Sequence, residues 1–156
     1  MKQVEIYTDG ACSVNPGPGG WAAILLYDEH EKEISGYEEE TTNNRMELMA
    51  VIRGIGGLNQ PCKINLYSDS TYVVHAFLMH WIDGWQKNNW MRRNEPVKNT
   101  DLWKELLAVC APHQITWIKV AGHSDNVYNN RCDKLAKEAI TANRKGQKEK
   151  QADTEI

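Results

Sequence analysis

Four acidic residues occur in two matched sequence contexts, which suggests that they serve one site. Asp9 follows a tyrosine by two positions in IYTDG, and Asp69 does the same in LYSDS. Glu47 and Asp133 are each the fifth residue of an N-N-R-x-acid segment, NNRME and NNRCD. Singly, each acid has an ordinary explanation, because Asp before Gly is typical of turns and an acid early in a helix complements the helix dipole. The repetition favours a shared role.

Gathered in one place, four carboxylates would repel one another strongly. At ~4 Å and an effective dielectric constant of about 20, one like-charge contact costs about 4 kcal/mol. Divalent cations offset this repulsion, and hard oxygen ligands suit Mg²⁺ or Mn²⁺ better than Zn²⁺. A cluster that holds two such ions about 3.5–4 Å apart is the apparatus of two-metal phosphodiester hydrolysis. The four acids therefore predict a site of this kind.

The acids of each pair lie at corresponding ends of predicted elements. QVEIYTD and CKINLYSD alternate as strands do, so Asp9 and Asp69 each share a sheet face with the tyrosine two residues earlier. If these strands are parallel neighbours, both carboxylates lie outside the strand ends where open α/β sheets bind ligands. TTNNRMELMAVIRGI and NNRCDKLAKEAI have helical periodicity, with their acids in the first turn or so, at the border of the apolar stripe.

The remaining segments complete an α/β pattern. GWAAILLYD and KEISGYEEE, joined by EHE, predict an antiparallel meander after the first strand. STYVVHAFLMHW and TDLWKELLAVC predict helices, and HQITWIKV predicts a last strand. Three early strands followed by alternating helices and strands predict one mixed sheet with helices packed on its faces.

Length and composition favour a single intracellular domain. A chain of 156 residues is typical of one domain. The N-terminus MKQVEIYTDG is charged throughout, so it predicts no signal peptide, and no apolar run approaches the ~18 residues of a membrane span. Four cysteines without C-x-x-C spacing indicate reduced thiols in a cytoplasmic protein. Because the apolar spacing ends near Ile140, we predict a folded domain over 1–142 and a disordered tail over 143–156.

Charge is distributed unevenly along the chain, although its formal net value is only −3. Residues 28–40, DEHEKEISGYEEE, hold seven acids and one lysine, whereas residues 85–98, WQKNNWMRRNEPVK, hold four bases and one acid. A polyanion would therefore be met by the second segment and repelled by the first.

The segments TDGACSVNPGPGG, TTNNRMELMA, YSDS and NNRCDKLA together resemble the signature segments of bacterial-type ribonuclease HI, in order and over roughly Gln3 to Ile140. The resemblance implies the ribonuclease H-like fold, an α/β architecture with a five-stranded mixed sheet of order 3-2-1-4-5 and helices on both faces. It also implies an endonuclease that hydrolyses the RNA strand of RNA–DNA hybrids with two Mg²⁺ ions, for which Mn²⁺ can substitute. Products of that family carry 5′-phosphate and 3′-hydroxyl ends, and we expect a monomer.

Carried over by position, the resemblance gives the acids distinct roles. Asp9 would bridge both ions, Glu47 and Asp69 would complete one, and Asp133 would complete the other. His123, in KVAGHSDN, matches a mobile-loop histidine that assists proton transfer and product release, a role that suits its near-neutral titration.

Further residues match the family's substrate contacts. Short polar groups beside the metals would detect the 2′-hydroxyl that distinguishes RNA from DNA. The matching positions are Gly10, Cys12, Asn15, Thr42, Asn43 and Asn44. The segment HWIDGWQKNNWMRRNEPVK resembles the family's basic protrusion, which contacts the DNA strand. Its residues are Trp81, Trp85, Lys87, Trp90, Arg92, Arg93 and Lys98, with Trp81 and Trp85 better suited to supporting the protrusion than to stacking on bases.

Fold alone does not decide the activity, because the same fold hosts transposases, integrases and proofreading exonucleases. The main alternative is a hybrid-binding module without catalytic activity. The presence of all four acids disfavours that alternative.

Overall fold

A five-stranded mixed sheet forms the centre of the protein, in a computed structural model that describes residues 1–122 and 125–154. The strands lie in the order β3-β2-β1-β4-β7. The strands are β1 (Lys2–Cys12), β2 (Gly17–Tyr27), β3 (His30–Thr41), β4 (Cys62–Ser68), β5 (Met91–Arg92), β6 (Glu95–Pro96) and β7 (Gln114–Lys119). The helices are α1 (Asn43–Gly56), α2 (Thr71–Leu78), α3 (Trp81–Lys87), α4 (Thr100–Cys110) and α5 (Val127–Thr154).

The predicted sheet order is confirmed, with β7 as the fifth strand of the main sheet. β1 pairs antiparallel with β2 and parallel with β4, and β4 pairs parallel with β7. The last strand of the main sheet is numbered β7 rather than β5 because two further strands precede it in the chain. These strands, β5 and β6, have two residues each and form a separate hairpin inside the basic protrusion. Such short strands have no alternation to detect, so the sequence pattern does not reveal them.

Helices cover both faces of the sheet, as predicted. On one face, α1 packs so closely that a side chain on Gly54 would meet Ile6 and Ala23. On the other face lies α5, where a Cβ on Gly20 would overlap the carbonyl oxygen of Ala136. Glycine in β2 therefore permits α5 to approach the sheet at backbone distance.

Both acid-bearing helices begin with side-chain caps. Thr42 precedes α1, and its hydroxyl accepts a hydrogen bond from the Arg45 backbone N–H at 3.3 Å. Asn126 precedes α5, and its Oδ1 accepts from the Asn129 backbone N–H at 3.0 Å. These starts place no acid in the first turn of either helix. Since helix-dipole stabilisation fades beyond the first turn, the dipole does not explain why the acids are there.

One predicted helix is in fact two. The stretch STYVVHAFLMHW was expected to be continuous, but α2 ends at Leu78 and α3 begins at Trp81. His80 lies between them with φ 58° and ψ 31°, in the left-handed region that a continuous α-helix excludes. After this break, α3 leads into the basic protrusion.

The last helix extends further than the apolar spacing indicated. Cys132, Ala136 and Ile140 are buried, as expected for the packed stripe. The helix continues to Thr154, however, through the stretch that was predicted to be a disordered tail. The division into a domain over 1–142 and a tail over 143–156 stays a prediction. Among the described residues, no helix has both the length and the apolar character to cross a membrane.

Truncation at the predicted boundary tests this division. A chain that ends at Ala142 retains the three buried apolar positions of α5, so we expect its midpoint of thermal unfolding to change by no more than about 2 °C. A chain that ends at Leu135 loses Ala136 and Ile140 and should be destabilised by more than about 3 kcal/mol. Circular dichroism melts compare the two. Equal destabilisation by both truncations would place the boundary beyond residue 142.

Candidate active site

Three of the predicted acids converge at the end of the central strands. β1 and β4 are parallel and in register at Tyr7 with Tyr67, whose rings stack at 4.3 Å, so Asp9 and Asp69 follow at the same sheet edge. Glu47 comes from the second turn of α1, which crosses that edge. Asp9, Glu47 and Asp69 each offer one oxygen, and these oxygens lie within 4.8 Å of one another. The predicted convergence is therefore observed for these three.

The Gly10 backbone joins the strand to the helix. Its N–H lies 2.9 Å from Asp9 Oδ1 and 3.1 Å from Glu47 Oε1, so it donates to both carboxylates. A Cβ at Gly10 would overlap the backbone of Met46 and Glu47. Glycine here allows α1 to approach β1 closely enough for one donor to hold two acids.

Burial makes this cluster electrostatically costly. Asp9 is 4% exposed and Glu47 is 5% exposed. The pKa of Asp9 is raised from 3.8 to about 7, with loss of solvation as the largest cause. The charges of Asp69 and Asp133 contribute to this rise, and the hydrogen bonds with Glu47 and Gly10 oppose it. Burial raises the pKa of Glu47 well above its ordinary value, with the negative charge of Asp9 as the second cause. Without a cation, the pair therefore retains a proton at neutral pH.

The donor set fits a hard divalent cation. Glu47 Oε2 is buried and has no hydrogen-bond partner among the described residues, although a buried carboxylate oxygen normally has one. Its neighbours in the cluster are further carboxylate oxygens, the ligands that Mg²⁺ and Mn²⁺ take. A bound cation would both coordinate this oxygen and offset the repulsion among the carboxylates of the cluster.

Asp133 lies in the same cleft but apart from the three-oxygen set. It projects from the second turn of α5, and its side chain is 39% exposed. Lys137, one turn further along, donates from Nζ to Asp133 Oδ2 at 3.0 Å. The four predicted acids therefore share one cleft of about 520 Å³. Three are clustered, two of them buried, and the fourth is paired with a lysine on the cleft wall.

The loop after β1 and the start of α1 form the rim of the cleft. Gly10, Cys12, Asn43 and Asn44 line it, as predicted. Asn15 instead accepts a hydrogen bond from the Asn43 backbone N–H at 3.1 Å, which ties the loop to the helix start. Thr42 caps the helix. The contribution of these six residues to substrate binding stays a prediction.

The protrusion bears a second cavity beside the cleft. A groove of about 780 Å³ is lined by Trp81, Trp85, Arg92 and Arg93 among others. Arg92, Arg93 and Lys98 also line an adjoining groove of about 330 Å³. Tyr72 lines both grooves and the acidic cleft, so the three cavities adjoin one another.

The tryptophans of the protrusion lie close to one another and to the core; the supporting role of Trp81 and Trp85 stays a prediction. The Trp85 ring lies 5.3 Å from that of Trp103, which is fully buried, and 6.3 Å from that of Trp90. Trp81 is 39% exposed and 6.5 Å from Trp85. Lys87 is exposed on α3. DNA contact by these residues stays a prediction.

Seven residues that line the cleft, Tyr72, Asn129 and Lys137 among them, were not among the predicted site residues, and one predicted residue is not described. Asn129, Asp133 and Lys137 are spaced by four residues, so helical periodicity could have found them once Asp133 was chosen. Tyr72 sits in an ordinary apolar helix pattern and carried no signal. His123 lies outside the described residues.

A mixed sheet with clustered carboxylates at its edge and an open, adjoining basic groove defines the class of metal-dependent nucleases. The RNase H family model matches residues 1–141. The chain belongs to the RNase H family.

Relatives agree with this assignment. The chain is 67% identical to "Ribonuclease H" of Caldanaerobacter subterraneus subsp. tengcongensis over 138 residues, which covers 88% of this chain and 90% of the relative. It is 60% identical to "Ribonuclease H" of Acetivibrio thermocellus over 146 residues, which covers 93% and 99%. The family uses divalent metals, consistent with the acidic cluster.

Solved structures share the fold. The crystal structure of LC9-RNase H1, described as a type 1 RNase H with the type 2 active-site motif, is similar with a TM-score of 0.82 and 28% identity, over 91% of this chain and 74% of that one. LC11-RNase H1 in complex with RNA/DNA hybrid gives a TM-score of 0.66 at 24% identity, over 89% and 97%. At that identity the second likeness shows the fold alone.

The raised pKa values predict how pH affects the metal-free protein. Because Asp9 holds its proton more tightly folded than unfolded, stability present near pH 4 is lost as pH rises through about 7. Asp9→Asn keeps an acceptor for Gly10 but removes the charge, so in EDTA at pH 8 we expect it to be more stable than the wild type by about 2–3 kcal/mol. Near pH 4 the free energies of unfolding of the wild type and Asp9→Asn should become equal.

Urea unfolding in EDTA at both pH values measures this difference. Glu105→Gln, at an exposed position on α4, is the matched control and should follow the wild type. An Asp9→Asn protein no more stable than wild type at pH 8 would show that the cluster is not under electrostatic strain.

Proposed function

We propose that this chain is a ribonuclease H that hydrolyses the RNA strand of RNA–DNA hybrids as an endonuclease and leaves 5′-phosphate and 3′-hydroxyl ends. Family membership and the relatives named Ribonuclease H support the assignment. The single observation that carries it is the convergence of oxygens from Asp9, Glu47 and Asp69 beside an open cleft. A protein that only bound hybrid duplexes would gain nothing from burying charges at this cost.

The acids divide the work of cation binding. Asp9 is central, since it hydrogen-bonds to Gly10 beside Glu47 and feels the charges of both Asp69 and Asp133. We assign Asp9 to both ions, Glu47 and Asp69 to one of them, and Asp133 to the other. When bound, two divalent ions supply an activated water and stabilise the leaving 3′ oxygen. Mg²⁺ is the ion we propose, with Mn²⁺ as a substitute, because every donor is a carboxylate oxygen.

Binding a cation also changes the protonation of the cluster. The retained proton on the Asp9–Glu47 pair must leave before both carboxylates can act as ligands, so affinity for the ion rises with pH. His123 is assigned to proton transfer and product release on the resemblance of its KVAGHSDN context.

Recognition of the hybrid is divided between the acidic cleft and the two basic grooves. On the acidic side, Asn43 and Asn44 line the cleft with side chains able to donate to and accept from a 2′-hydroxyl. Gly10, Cys12, Asn15 and Thr42 shape that rim. On the basic side, Arg92, Arg93 and Lys98 surround the grooves that adjoin at Tyr72, where a DNA strand's phosphates would be neutralised, with Lys87 further along α3. We further propose a cytoplasmic monomer.

Loss of the central carboxylate tests the activity. We expect Asp9→Asn to reduce the rate of cleavage of an end-labelled RNA–DNA duplex with Mg²⁺ by at least about 10³-fold, because both ions lose a ligand. Glu105→Gln should cleave like the wild type. A gel assay that resolves products with 5′-phosphate ends measures the cleavage rates of both variants. Equal cleavage by Asp9→Asn would point to a contaminating nuclease, and cleavage by neither protein would favour a binding module.

The basic grooves are tested through the salt dependence of binding. Replacing Arg92 and Arg93 by glutamine in the Asp9→Asn background should make hybrid affinity less sensitive to salt. The negative slope of log affinity against log salt concentration should become less steep by about 0.9 for each phosphate that is no longer neutralised. Lys63→Gln is the control, since Lys63 is exposed at the opposite end of β4 from the acidic cleft. Fluorescence anisotropy with a labelled hybrid gives both slopes. An unchanged slope in the double variant would exclude these arginines from phosphate binding.

A further inference from the structure

Helix α5 presents a row of three polar residues to the acidic cleft. Asn129, Asp133 and Lys137 are separated by four residues, so they lie along one side of the helix, and all three line the cleft. The row places a lysine ammonium group inside a cleft that is otherwise acidic. Neither the family assignment nor the cluster of Asp9, Glu47 and Asp69 explains why a positively charged side chain lines this cleft.

The ammonium group of Lys137 is engaged with the cleft carboxylates. Its Nζ lies 3.0 Å from Asp133 Oδ2. The hydrogen bond and charge of Asp133 raise the pKa of Lys137, and the charge of Asp9 raises it as well. The lysine is therefore close enough to feel the buried part of the cluster, in addition to the carboxylate that it contacts.

A second lysine on the same helix shows that this arrangement is not a general feature of α5. Lys134 and Glu138 have the same four-residue spacing, but their charged atoms are 3.9 Å apart and their side chains are 77% and 58% exposed. Neither residue lines the cleft. An ordinary surface pair of this kind contributes about 0.3–0.5 kcal/mol.

We propose that Lys137 is the cleft's own counter-cation, held by Asp133, and that it competes with the second divalent ion for this carboxylate. Lys137 is thus a positioning residue that sets the affinity for the second ion. This inference rests on the proposed function, because it assigns Asp133 to that ion. It gives the exposed fourth acid two alternative partners, the lysine and the ion.

The competition has two physical components. An ion that takes Asp133 Oδ2 must break the contact with Nζ, and it then shares the cleft with a positive charge. Replacing Lys137 by methionine keeps most of the side-chain length and removes both effects. We expect the second ion to bind about three- to tenfold more tightly as a result. Lys137→Arg keeps the charge and should bind ions like the wild type.

Equilibrium dialysis of the full chain against Mn²⁺, without hybrid, measures this effect. The observed quantity is the free Mn²⁺ concentration at the midpoint of the weaker of two binding steps. Lys137→Met should move that midpoint down by about three- to tenfold, while the control Lys134→Met leaves it unchanged. Because the Lys137 side chain is 62% exposed, we expect the variant to fold, and Lys137→Gln provides a second neutral replacement.

A double-mutant cycle isolates the role of Asp133. In an Asp133→Asn background the ion pair between Lys137 and Asp133 is already absent, so Lys137→Met should lower the Mn²⁺ midpoint by less than it does with Asp133 in place, through the loss of the lysine charge alone. A midpoint shift below about twofold, a shift in the opposite direction, the absence of a second step in both proteins, or an equal shift in the Asp133→Asn background would each overturn the inference. The proposed function fails separately, if the wild type neither cleaves hybrid nor binds Mn²⁺ in a way that Asp9→Asn removes.

Discussion

The folded structure has to hold two carboxylates in a place where both are deprived of water. Asp9 and Glu47 come from a strand and a helix that are far apart in sequence, and a single N–H from Gly10 hydrogen-bonds to both. That one donor cannot satisfy all the oxygens of two buried carboxyl groups, and Glu47 Oε2 has no hydrogen-bond partner among the described residues. The site is therefore stable only because the surrounding packing leaves the acids no alternative position.

Two close helix–sheet contacts supply that packing. At Gly10, α1 meets the edge of β1, and at Gly20, α5 meets β2 from the opposite face. In each case the missing side chain allows backbones to approach, and each contact brings one acid-bearing helix to the same strand end. The apolar core on the α1 side, which includes fully buried Ile6 and Leu48, stabilises the fold against the repulsion of the site. The core stabilises the folded state, and the cleft destabilises it, as is common for functional sites.

The predictability of this arrangement differs from element to element, for physical reasons. Asp9 and Asp69 were found from sequence because alternation in two parallel strands fixes their face, and the stacked Tyr7 and Tyr67 rings follow from the same rule. The break at His80 was not predicted from the sequence, because a left-handed residue between two apolar helical stretches leaves the helical spacing of apolar residues almost intact. The partner of Asp133 was also missed, because choosing Lys137 over Lys134 requires knowledge of which side of α5 meets the cleft.

The cleft thus combines a fixed half with an adjustable half. The fixed half consists of Asp9, Glu47 and Asp69, held by strand register and by Gly10, with two of the three buried. The half that we propose to be adjustable is Asp133, which is 39% exposed on α5 and hydrogen-bonded to Lys137, whose side chain is 62% exposed. An enzyme that must bind ions, position a phosphate between them and then release a product benefits from such a division. Rigid ligands keep the geometry needed for attack, and an exchangeable ligand lets the cleft open and refill without loss of the buried cluster.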